Sequence, residues 1–265
     1  MEESLNKRTL YIHQIYGIFK DDKRLIDNEL FLTSMNKYLE IIHKNNMDND
    51  RSYNYEYKLW SDEDCNNLIA KYPEFNYYHD VRYKIMKVDI IRFLILYEYG
   101  GVYCDLDVVP IIDNFDFTLS PVNCDKIYVA QYINKYHNFF DIEIIMTGLT
   151  RNKLLYDYLK YIPSQIEEKN NIEIYKKWKI RYVFQTTGPR SFNRFIKPKK
   201  YNDYVKSLDT ILLEENIKIT DDINIASENI LFLSYHSLSY NDEIHQGKFV
   251  GYSANYPAKV KYKKK

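Results

Sequence analysis

The sequence predicts an α/β fold in which a mixed, mainly parallel sheet is flanked by helices. Two observations support this fold class. From its start, the chain alternates segments rich in β-branched and aromatic residues with amphipathic helical segments. Near the middle, a long apolar helical segment runs into a short apolar strand that ends at two aspartates. Helices between successive strands are the connections that parallel strands need, so this order favours a parallel arrangement.

The first part of the chain supplies two strand–helix pairs. Residues 9–15 are predicted to form a strand, and an amphipathic helix follows over about 28–44. Residues 53–60 are predicted to form the second strand. The sequence Ser-Asp-Glu-Asp at 61–64 resembles a capping box, so we expect it to open the second helix.

The central helix is predicted over about 80–99, where most residues are apolar. The glycine pair at 100–101 suits a helix stop in the left-handed region. Residues 102–104 then suit a core strand, and Asp105 and Asp107 follow at its carboxyl end. In open α/β sheets, ligands bind at this edge.

Asp105 and Asp107 can act on one ligand, because side chains two residues apart on an extended chain share a face. Leu106 would then pack behind them. Carboxylate oxygens suit a hard divalent cation. The pattern therefore favours a divalent cation together with its diphosphate.

Three charged residues interrupt the apolar surface of the central helix. Arg82, Asp89 and Arg92 are separated by seven and three positions, which places them near one face. Charges on so apolar a helix need partners. Two interpretations stay open: an internal bridge between Asp89 and Arg92 that orients the helix, or a face that lines the cleft and contacts a polar ligand.

The second part of the chain is predicted to mix strands with helices. Strands are expected at 126–132, 139–146 and 230–235, with two weaker ones within 206–220. Helices are expected at 152–161, 163–178 and 189–195, and 182–185 leads into the last of them. Asp141 and Glu143 alternate with apolar neighbours, which fits a strand with one polar face.

Length and composition favour one domain spanning residues 1–265, with a frayed basic tail from about 257. The 37 basic residues balance the 37 acidic residues, which argues against a general nucleic-acid-binding surface. Three cysteines form no close-spaced pair, which indicates a reducing compartment. No apolar leader and no apolar run long enough to span a bilayer is seen, so we expect a cytoplasmic protein without a transmembrane segment.

Six segments occur in an order that resembles glycosyltransferase family 32, a DXD-containing group that includes initiating mannosyltransferases and capsular-sugar transferases. The segments are 12–16, 59–62, 87–92, 100–107, 187–189 and 236–239. The resemblance is dense from about 55 to 112 and patchy elsewhere. It implies a GT-A fold, a UDP- or GDP-sugar donor, Mn²⁺ or Mg²⁺, and hexose transfer with retention to a hydroxyl acceptor on a glycan or a glycan-bearing protein.

The resemblance also implies donor-binding roles, carried over by position. The turn that holds the base would comprise Ile15, Tyr16 and Gly17, and Tyr16 stands where the family usually has Trp. Contacts with the donor's sugar and diphosphate would come from Asp89, Arg92, Gly101, Tyr103 and Asp105.

By the same resemblance, the metal site would comprise Asp105, Asp107, His236 and Ser239. Asp107 would be the direct ligand, and Asp105 would be shared between metal shell, ribose and sugar. Tyr240 replaces the Trp that follows in the family.

The implied catalytic carboxylates are Asp105 and Asp107, with Asp141 or Glu143 at a position where the family often has Asn near the reacting sugar. The choice between the last two is open. Retention requires either a carboxylate nucleophile, which one of them could supply, or front-face attack by the acceptor, which the resemblance favours.

Two other classes of protein stay open. A haloacid-dehalogenase-like phosphatase would use Asp105 as nucleophile and Asp107 as general acid, with Asp221 and Asp222 as the distal pair. More than a hundred residues precede the motif, however, and that scheme does not need the Asp-x-x-Arg pattern at 89–92. A non-catalytic carbohydrate-binding relative would bind sugar without turnover.

Overall fold

The computed structural model describes the greater part of the chain. The described residues are 8–16, 18, 29–48, 53–106, 108–110, 115, 124–133, 138–198, 201, 203–212 and 230–234. Within these ranges, no helix combines the length and the hydropathy needed to cross a bilayer.

The described strands form one eight-stranded mixed sheet in the order β2-β1-β3-β6-β5-β7-β8-β4. The strands are β1 Arg8–Ile15, β2 Tyr53–Trp60, β3 Gly101–Cys104, β4 Val108–Pro110, β5 Ile127–Ile133, β6 Asn138–Thr147, β7 Val205–Leu212 and β8 Ile230–Ser234. Four neighbouring pairs are parallel and three are antiparallel. The predicted α/β fold with a mixed, mainly parallel sheet is therefore confirmed.

The described helices lie between and after the strands. They are α1 Glu29–Asn46, α2 Asp62–Ile69, α3 Tyr77–Asp80, α4 Lys84–Tyr99, α5 Lys153–Asn170, α6 Glu173–Lys177, α7 Lys179–Thr186 and α8 Pro189–Ile196, with a 3₁₀ turn at Pro73–Phe75. The predicted capping box opens α2. The Ser61 hydroxyl accepts the Asp64 amide at 3.1 Å, and the Asp64 carboxylate accepts the Ser61 amide at 3.0 Å.

Each face of the sheet carries its own hydrophobic core. On one face, Leu10, Val102 and Ile144 pack with residues of α1. On the other face, α4 packs with α5 and α8 in the larger core. Almost the whole circumference of α4 is buried, and this explains why its sequence is apolar all round.

The central helix is shorter than predicted. It begins at Lys84, because Val81 adopts an extended conformation (φ −65°, ψ 143°) after α3. Arg82 therefore precedes the helix and is exposed. Its guanidinium lies 5.8 Å from the ring of Tyr182. The prediction that Arg82 shares a helical face with Asp89 and Arg92 was wrong.

Two helix boundaries in the second part also differ from prediction. Helix α5 continues through Pro163 to Asn170 instead of breaking there. Its buried side chains continue on both sides of the proline, at Ile162 and Gln165, so packing outweighs the lost backbone hydrogen bond. The segment 182–185 belongs to α7. Of the two weak strands predicted within 206–220, β7 accounts for one, and residues 213–220 lie outside the described ranges.

The glycine pair allows β3 to lie against β1. Gly100 has φ +65° but ψ −157°, so it does not adopt the predicted left-handed helical conformation. Gly101 has φ +90°, and a Cβ atom there would lie 2.1 Å from the carbonyl oxygen of Tyr11. Only glycine fits this approach without displacing the backbone of β1.

Candidate functional site

The carboxyl edge of the sheet brings the first site residues together. Strands β1 and β3 are parallel neighbours, so Tyr16, after β1, and Asp105, after β3, emerge at the same edge. The Asp105 amide donates to the Glu143 carbonyl at 2.9 Å, which extends the pairing of β3 with β6. Asp105 thus lies at the predicted end of the central strand, and its side chain is 33% exposed.

Arg92 of α4 joins this edge to the helix beneath it. Its Nη1 lies 3.3 Å from Asp105 Oδ1, and its Nη2 lies 3.2 Å from Asp89 Oδ1. Nη1 also donates to the Ile142 carbonyl at 2.7 Å, and Nε donates to the Val88 carbonyl at 3.3 Å. With its side chain only 3% exposed, the guanidinium is held in one orientation between two carboxylates.

Asp89 is held from its second oxygen as well. The Thr187 hydroxyl, which follows α7, donates to Asp89 Oδ2 at 2.8 Å. Burial raises the pKa of Asp89 to about 6, although Arg92 and the Thr187 hydroxyl favour the ionised form. The interpretation of an internal bridge between Asp89 and Arg92 is confirmed. The same arginine reaches Asp105 at the edge of the sheet, and contact of this helix face with a polar ligand stays a prediction.

Tyr103 completes the set that we call the Arg92 cluster, namely Asp89, Arg92, Tyr103, Asp105 and Thr187. The Tyr103 hydroxyl donates to Asp105 Oδ1 at 2.5 Å, and its ring lies 4.8 Å from the Arg92 guanidinium. Burial raises the pKa of the Tyr103 phenol well above its usual value, so the phenol stays a donor. Of the five side chains, that of Asp105 is the one that opens to solvent.

Gln14, at the end of β1, is a site residue that the sequence patterns did not single out. Its side chain is fully buried, and its Nε2 lies 3.3 Å from the Asp105 carbonyl and 3.0 Å from the Ser34 hydroxyl. Its Oε1 accepts the Tyr57 hydroxyl at 2.8 Å. The available signal was a polar residue near the end of a strand that is otherwise rich in apolar residues, because a buried polar side chain needs hydrogen-bond partners.

The contacts of Gln14 and Ser34 hold both ends of the turn that carries the DXD motif. The Val108 amide donates to the Asp105 carbonyl at 3.1 Å, and Ser34 donates to the Val108 carbonyl at 2.6 Å. Leu106, inside this turn, is 8% exposed and packs with Phe31. Leu106 is therefore buried as expected, and its position relative to Asp107 stays a prediction, because Asp107 lies outside the described residues.

The predicted base-binding turn lies beside the motif. Ile15 is buried in the larger core, and the Tyr16 amide donates to the Trp60 carbonyl at 2.8 Å. The Tyr16 side chain packs against the small apolar cluster around Phe31 and Leu106. Gly17 lies outside the described residues. The role of this turn in holding a base stays a prediction, as does the contact of Gly101 with the donor.

Asp141 and Glu143 lie on an irregular part of β6. Val129 pairs with Ile145 and the next residue, Ala130, pairs with Asp141, so three residues of β6 bulge there. Both carboxylates are buried, and Glu143 is the one beside Asp105 in the sheet register. The bulge also exposes the Ile142 carbonyl to Arg92. Whether Asp141 or Glu143 acts on the reacting sugar stays open.

The side-chain chemistry at this edge suits a hard divalent cation, but the described residues supply one edge carboxylate. Asp105 is a partly exposed carboxylate at the expected edge, and Mg²⁺ and Mn²⁺ prefer such oxygen ligands. Asp107, His236 and Ser239 lie outside the described residues. Within the described ranges, no group of three or more His, Cys, Asp or Glu side chains is placed to hold a metal. The metal assignment therefore stays a prediction.

A second buried polar group lies where β1 meets the junction of α4 and β3, and we call His13, Trp60, Tyr99 and Gly100 the His13 cluster. His13 Nε2 lies 2.9 Å from the Gly100 carbonyl, and Trp60 Nε1 donates to His13 Nδ1 at 3.2 Å. Burial lowers the pKa of His13 from 6.5 to about 3, so the ring is neutral and donates to Gly100. Tyr99 packs against both rings.

Comparison with known proteins identifies the region that contains most of this site. Residues 33–120 match the family described as glycosyltransferase sugar-binding region containing DXD motif. Inositol phosphoceramide mannosyltransferase 2 of Schizosaccharomyces pombe is 31% identical over 164 residues, covering 59% of this chain and 46% of that protein. Inositol phosphoceramide mannosyltransferase 3 of the same yeast is 50% identical over 56 residues, covering 20% and 16%.

Among solved structures, the PaToxG glycosyltransferase matches with a TM-score of 0.44 and 18% identity, covering 71% of this chain and 69% of that one. The matched region spans less than half the length of each of the two yeast relatives. The motif region, with Asp89, Arg92, Asp105 and Asp107, falls inside the family match, whereas Gln14 and Thr187 fall outside it. Residues 33–120 of this chain thus match the glycosyltransferase sugar-binding region containing the DXD motif, and the chain is similar in sequence to inositol phosphoceramide mannosyltransferases.

Proposed function

We propose that the protein is a metal-dependent glycosyltransferase that transfers a hexose, with mannose as the first candidate, from a nucleotide sugar to a hydroxyl acceptor with retention. The similarity to mannosyltransferases supports the choice of mannose. The observation that carries the proposal is Arg92, which lies between Asp89 and Asp105 and brings the Asp-x-x-Arg pattern and the DXD motif into one contact network.

These contacts fix the orientation of the charged side chains. Arg92 is locked by the Val88 and Ile142 carbonyls, so its guanidinium cannot swing when a charged ligand arrives. Tyr103 and Arg92 both bind Asp105 Oδ1 and thereby fix the position of that oxygen. A group preorganised in this way loses little freedom when it binds a donor.

A divalent cation, when bound, would neutralise charge on the departing diphosphate. Asp105, Asp107, His236 and Ser239 are the residues that would hold it. Front-face attack by the acceptor is the preferred route to retention, and either Asp141 or Glu143 could instead serve as a nucleophile.

The acceptor would be a hydroxyl on a glycan or on an inositol-bearing lipid, the second suggested by the names of the yeast relatives. We also propose that residues 1–265 form one domain and that the protein is cytoplasmic.

A binding screen tests this function. GDP-mannose, UDP-glucose, UDP-galactose and UDP-N-acetylglucosamine are each added with and without Mn²⁺, and the melting temperature is measured. The cognate donor should raise it only with Mn²⁺, because a ligand that binds the folded state stabilises it by mass action. Asp107→Ala should remove this rise and the Mn²⁺-dependent hydrolysis of the donor while the protein still folds.

Other outcomes would favour the other classes of protein. Release of phosphate from p-nitrophenyl phosphate that is lost in Asp105→Asn would favour a phosphatase. Sugar binding that is independent of metal, without turnover, would favour a non-catalytic carbohydrate-binding protein. Retained Mn²⁺-dependent hydrolysis in Asp107→Ala would falsify the metal assignment.

A further inference from the structure

An apolar and basic surface lies at the junction of α6 and α7. Ile172 is 38% exposed, Ile174 42% and Trp178 61%. In the described part of the chain, three of the seven exposed large apolar side chains thus fall within seven consecutive residues. The Trp178 amide donates to the Ile174 carbonyl at 3.0 Å, which puts these two side chains one helical turn apart on one side. We call this surface the Trp178 surface.

The charge along the Trp178 surface is mainly of one sign. Residues 172–181 contain three lysines and one arginine against one acidic residue, Glu173, whereas the whole chain has a formal net charge of zero. Lys179 and Arg181 are exposed on α7. Lys177 and Lys179 flank Trp178 directly in the sequence, and the nearest acidic residue before them is Glu173. The exposed tryptophan is therefore accompanied by an excess of positive charge.

The surface is connected to the Arg92 cluster by one short helix. Helix α7 runs from Lys179 to Thr186, with Tyr182 and Val183 buried, and ends next to Thr187. Thr187 binds Asp89. From Trp178 to Thr187 the helical rise amounts to roughly 13 Å. A structure that binds the Trp178 surface is thus placed within reach of the candidate site.

We propose that the Trp178 surface binds the surface of an anionic lipid bilayer. Tryptophan prefers the boundary between acyl chains and headgroups, isoleucine adds apolar area that can enter that boundary, and lysine and arginine are attracted to anionic headgroups. Charge complementarity favours this occupant over a second copy of the chain, because two copies of so basic a surface would repel each other.

The two tryptophans of the chain make the test direct. Trp60 is buried and Trp178 is exposed, so a change in the polarity around the surface is reported by Trp178. The full-length protein is mixed with phosphatidylcholine vesicles that contain or lack phosphatidylserine, without donor or metal. We expect co-sedimentation with the anionic vesicles and a shift of tryptophan emission to shorter wavelength. Weak binding and no shift are expected with pure phosphatidylcholine.

Substitutions test whether the vesicles bind at the Trp178 surface. Trp178→Ser and the double variant Lys179→Glu/Arg181→Glu should each weaken co-sedimentation about tenfold or more, through lost apolar area and reversed charge respectively. Leu149→Ser is the matched control. Leu149 is also exposed, at 41%, but lies before the start of α5, an 18-residue helix of about 27 Å whose other end leads to the Trp178 surface. This control should bind like the parent.

Three results would overturn the proposal. They are equal binding to both kinds of vesicle, parent-like binding by Trp178→Ser, and a parent that is a dimer which Trp178→Ser converts to a monomer. The lysine-rich tail is present in every variant, so its contribution cancels in the comparison. The measurement needs no transferase activity, so its failure would leave the proposed function untouched, and failure of the donor screen would leave this surface untouched.

Discussion

The Arg92 cluster and the His13 cluster lie beside each other in the sheet, because His13 of β1 pairs with Tyr103 of β3, yet they handle buried polar groups differently. In the first, Arg92 forms ion pairs with Asp89 and Asp105, and the cluster opens to solvent through Asp105. In the second, a histidine is buried as a neutral ring between the Gly100 carbonyl and the Trp60 indole. A closed arrangement of neutral partners fixes the backbone, whereas charges that are kept at the edge of a sheet are available to a ligand.

The largest expected effect comes from removing the positive charge of Arg92, which Asp89 and Asp105 share. Arg92→Leu would leave Asp89 and Asp105 without their common cation, so we expect the free energy of unfolding in urea to fall by about 3–5 kcal/mol. Arg190→Leu, at an exposed arginine of α8, is the matched control and should change it by about 0.5 kcal/mol or less. A loss in Arg92→Leu no larger than in the control would contradict the central role of Arg92.

The stability contributed by the two clusters should change with pH in opposite directions. The pKa of Asp89 is raised from 3.8 to about 6, so its contribution to stability is fully present below about pH 3.8 and is lost as pH rises through 6. The pKa of His13 is lowered from 6.5 to about 3, so its contribution is present above pH 6.5 and is lost as pH falls towards 3. A tenfold difference in proton affinity between the folded and unfolded states corresponds to roughly 1.4 kcal/mol.

The measurement is urea unfolding of the parent, Asp89→Asn and His13→Gln at several pH values between 7 and 4. As pH falls, the stability of the parent should rise relative to Asp89→Asn and fall relative to His13→Gln. If, as pH falls, the parent gained stability relative to both variants or lost it relative to both, the two clusters would not differ in how they treat charge.

A smaller effect is expected from the residue that joins the site to β1. Gln14→Leu would remove the partner of the Tyr57 and Ser34 hydroxyls and of the Asp105 carbonyl, so we expect a loss of about 1–3 kcal/mol in stability. The Asp105 carbonyl, at the start of the turn that carries the motif, would lose its hydrogen bond from Gln14. Mn²⁺-dependent donor binding should therefore weaken as well.

Gln165→Leu is the matched control for this change. Gln165 is also buried, but it binds Arg194, away from the sheet edge. A similar loss of stability is expected there without weaker donor binding. If both variants bound the donor equally, the effect of Gln14 would be on stability alone.

Much of the fold could be predicted because its signals are local. The limits of β1 and β2 and the capping box of α2 depend on residues that are near in sequence, and each was predicted to within a residue. The position of Asp105 at the end of β3 followed from the apolar run and the glycine pair. The early start predicted for the central helix was wrong, because the extended conformation of Val81 separates α3 from α4.

The contacts of the site could be predicted only in part, because they join distant residues. Gln14 meets Asp105 across 91 positions, and Thr187 meets Asp89 across 98. Arg92 binds the backbone carbonyl of Ile142, a contact that depends on a bulge in β6 and not on the residue type. The pattern of residues therefore identified which charges matter, and the structure identified what holds them.

Asp105→Asn tests most directly whether the Arg92 cluster contacts the donor through the Asp105 carboxylate. The variant keeps the size of the side chain and an oxygen that can accept the Tyr103 hydroxyl, and Arg92 keeps Asp89 as its anionic partner, so the free energy of unfolding should fall less than in Arg92→Leu. We expect the Mn²⁺-dependent rise in melting temperature with the cognate nucleotide sugar to disappear, while Asp203→Asn, at an exposed aspartate, keeps it. Donor binding by Asp105→Asn with the same Mn²⁺ dependence as the parent would contradict the account.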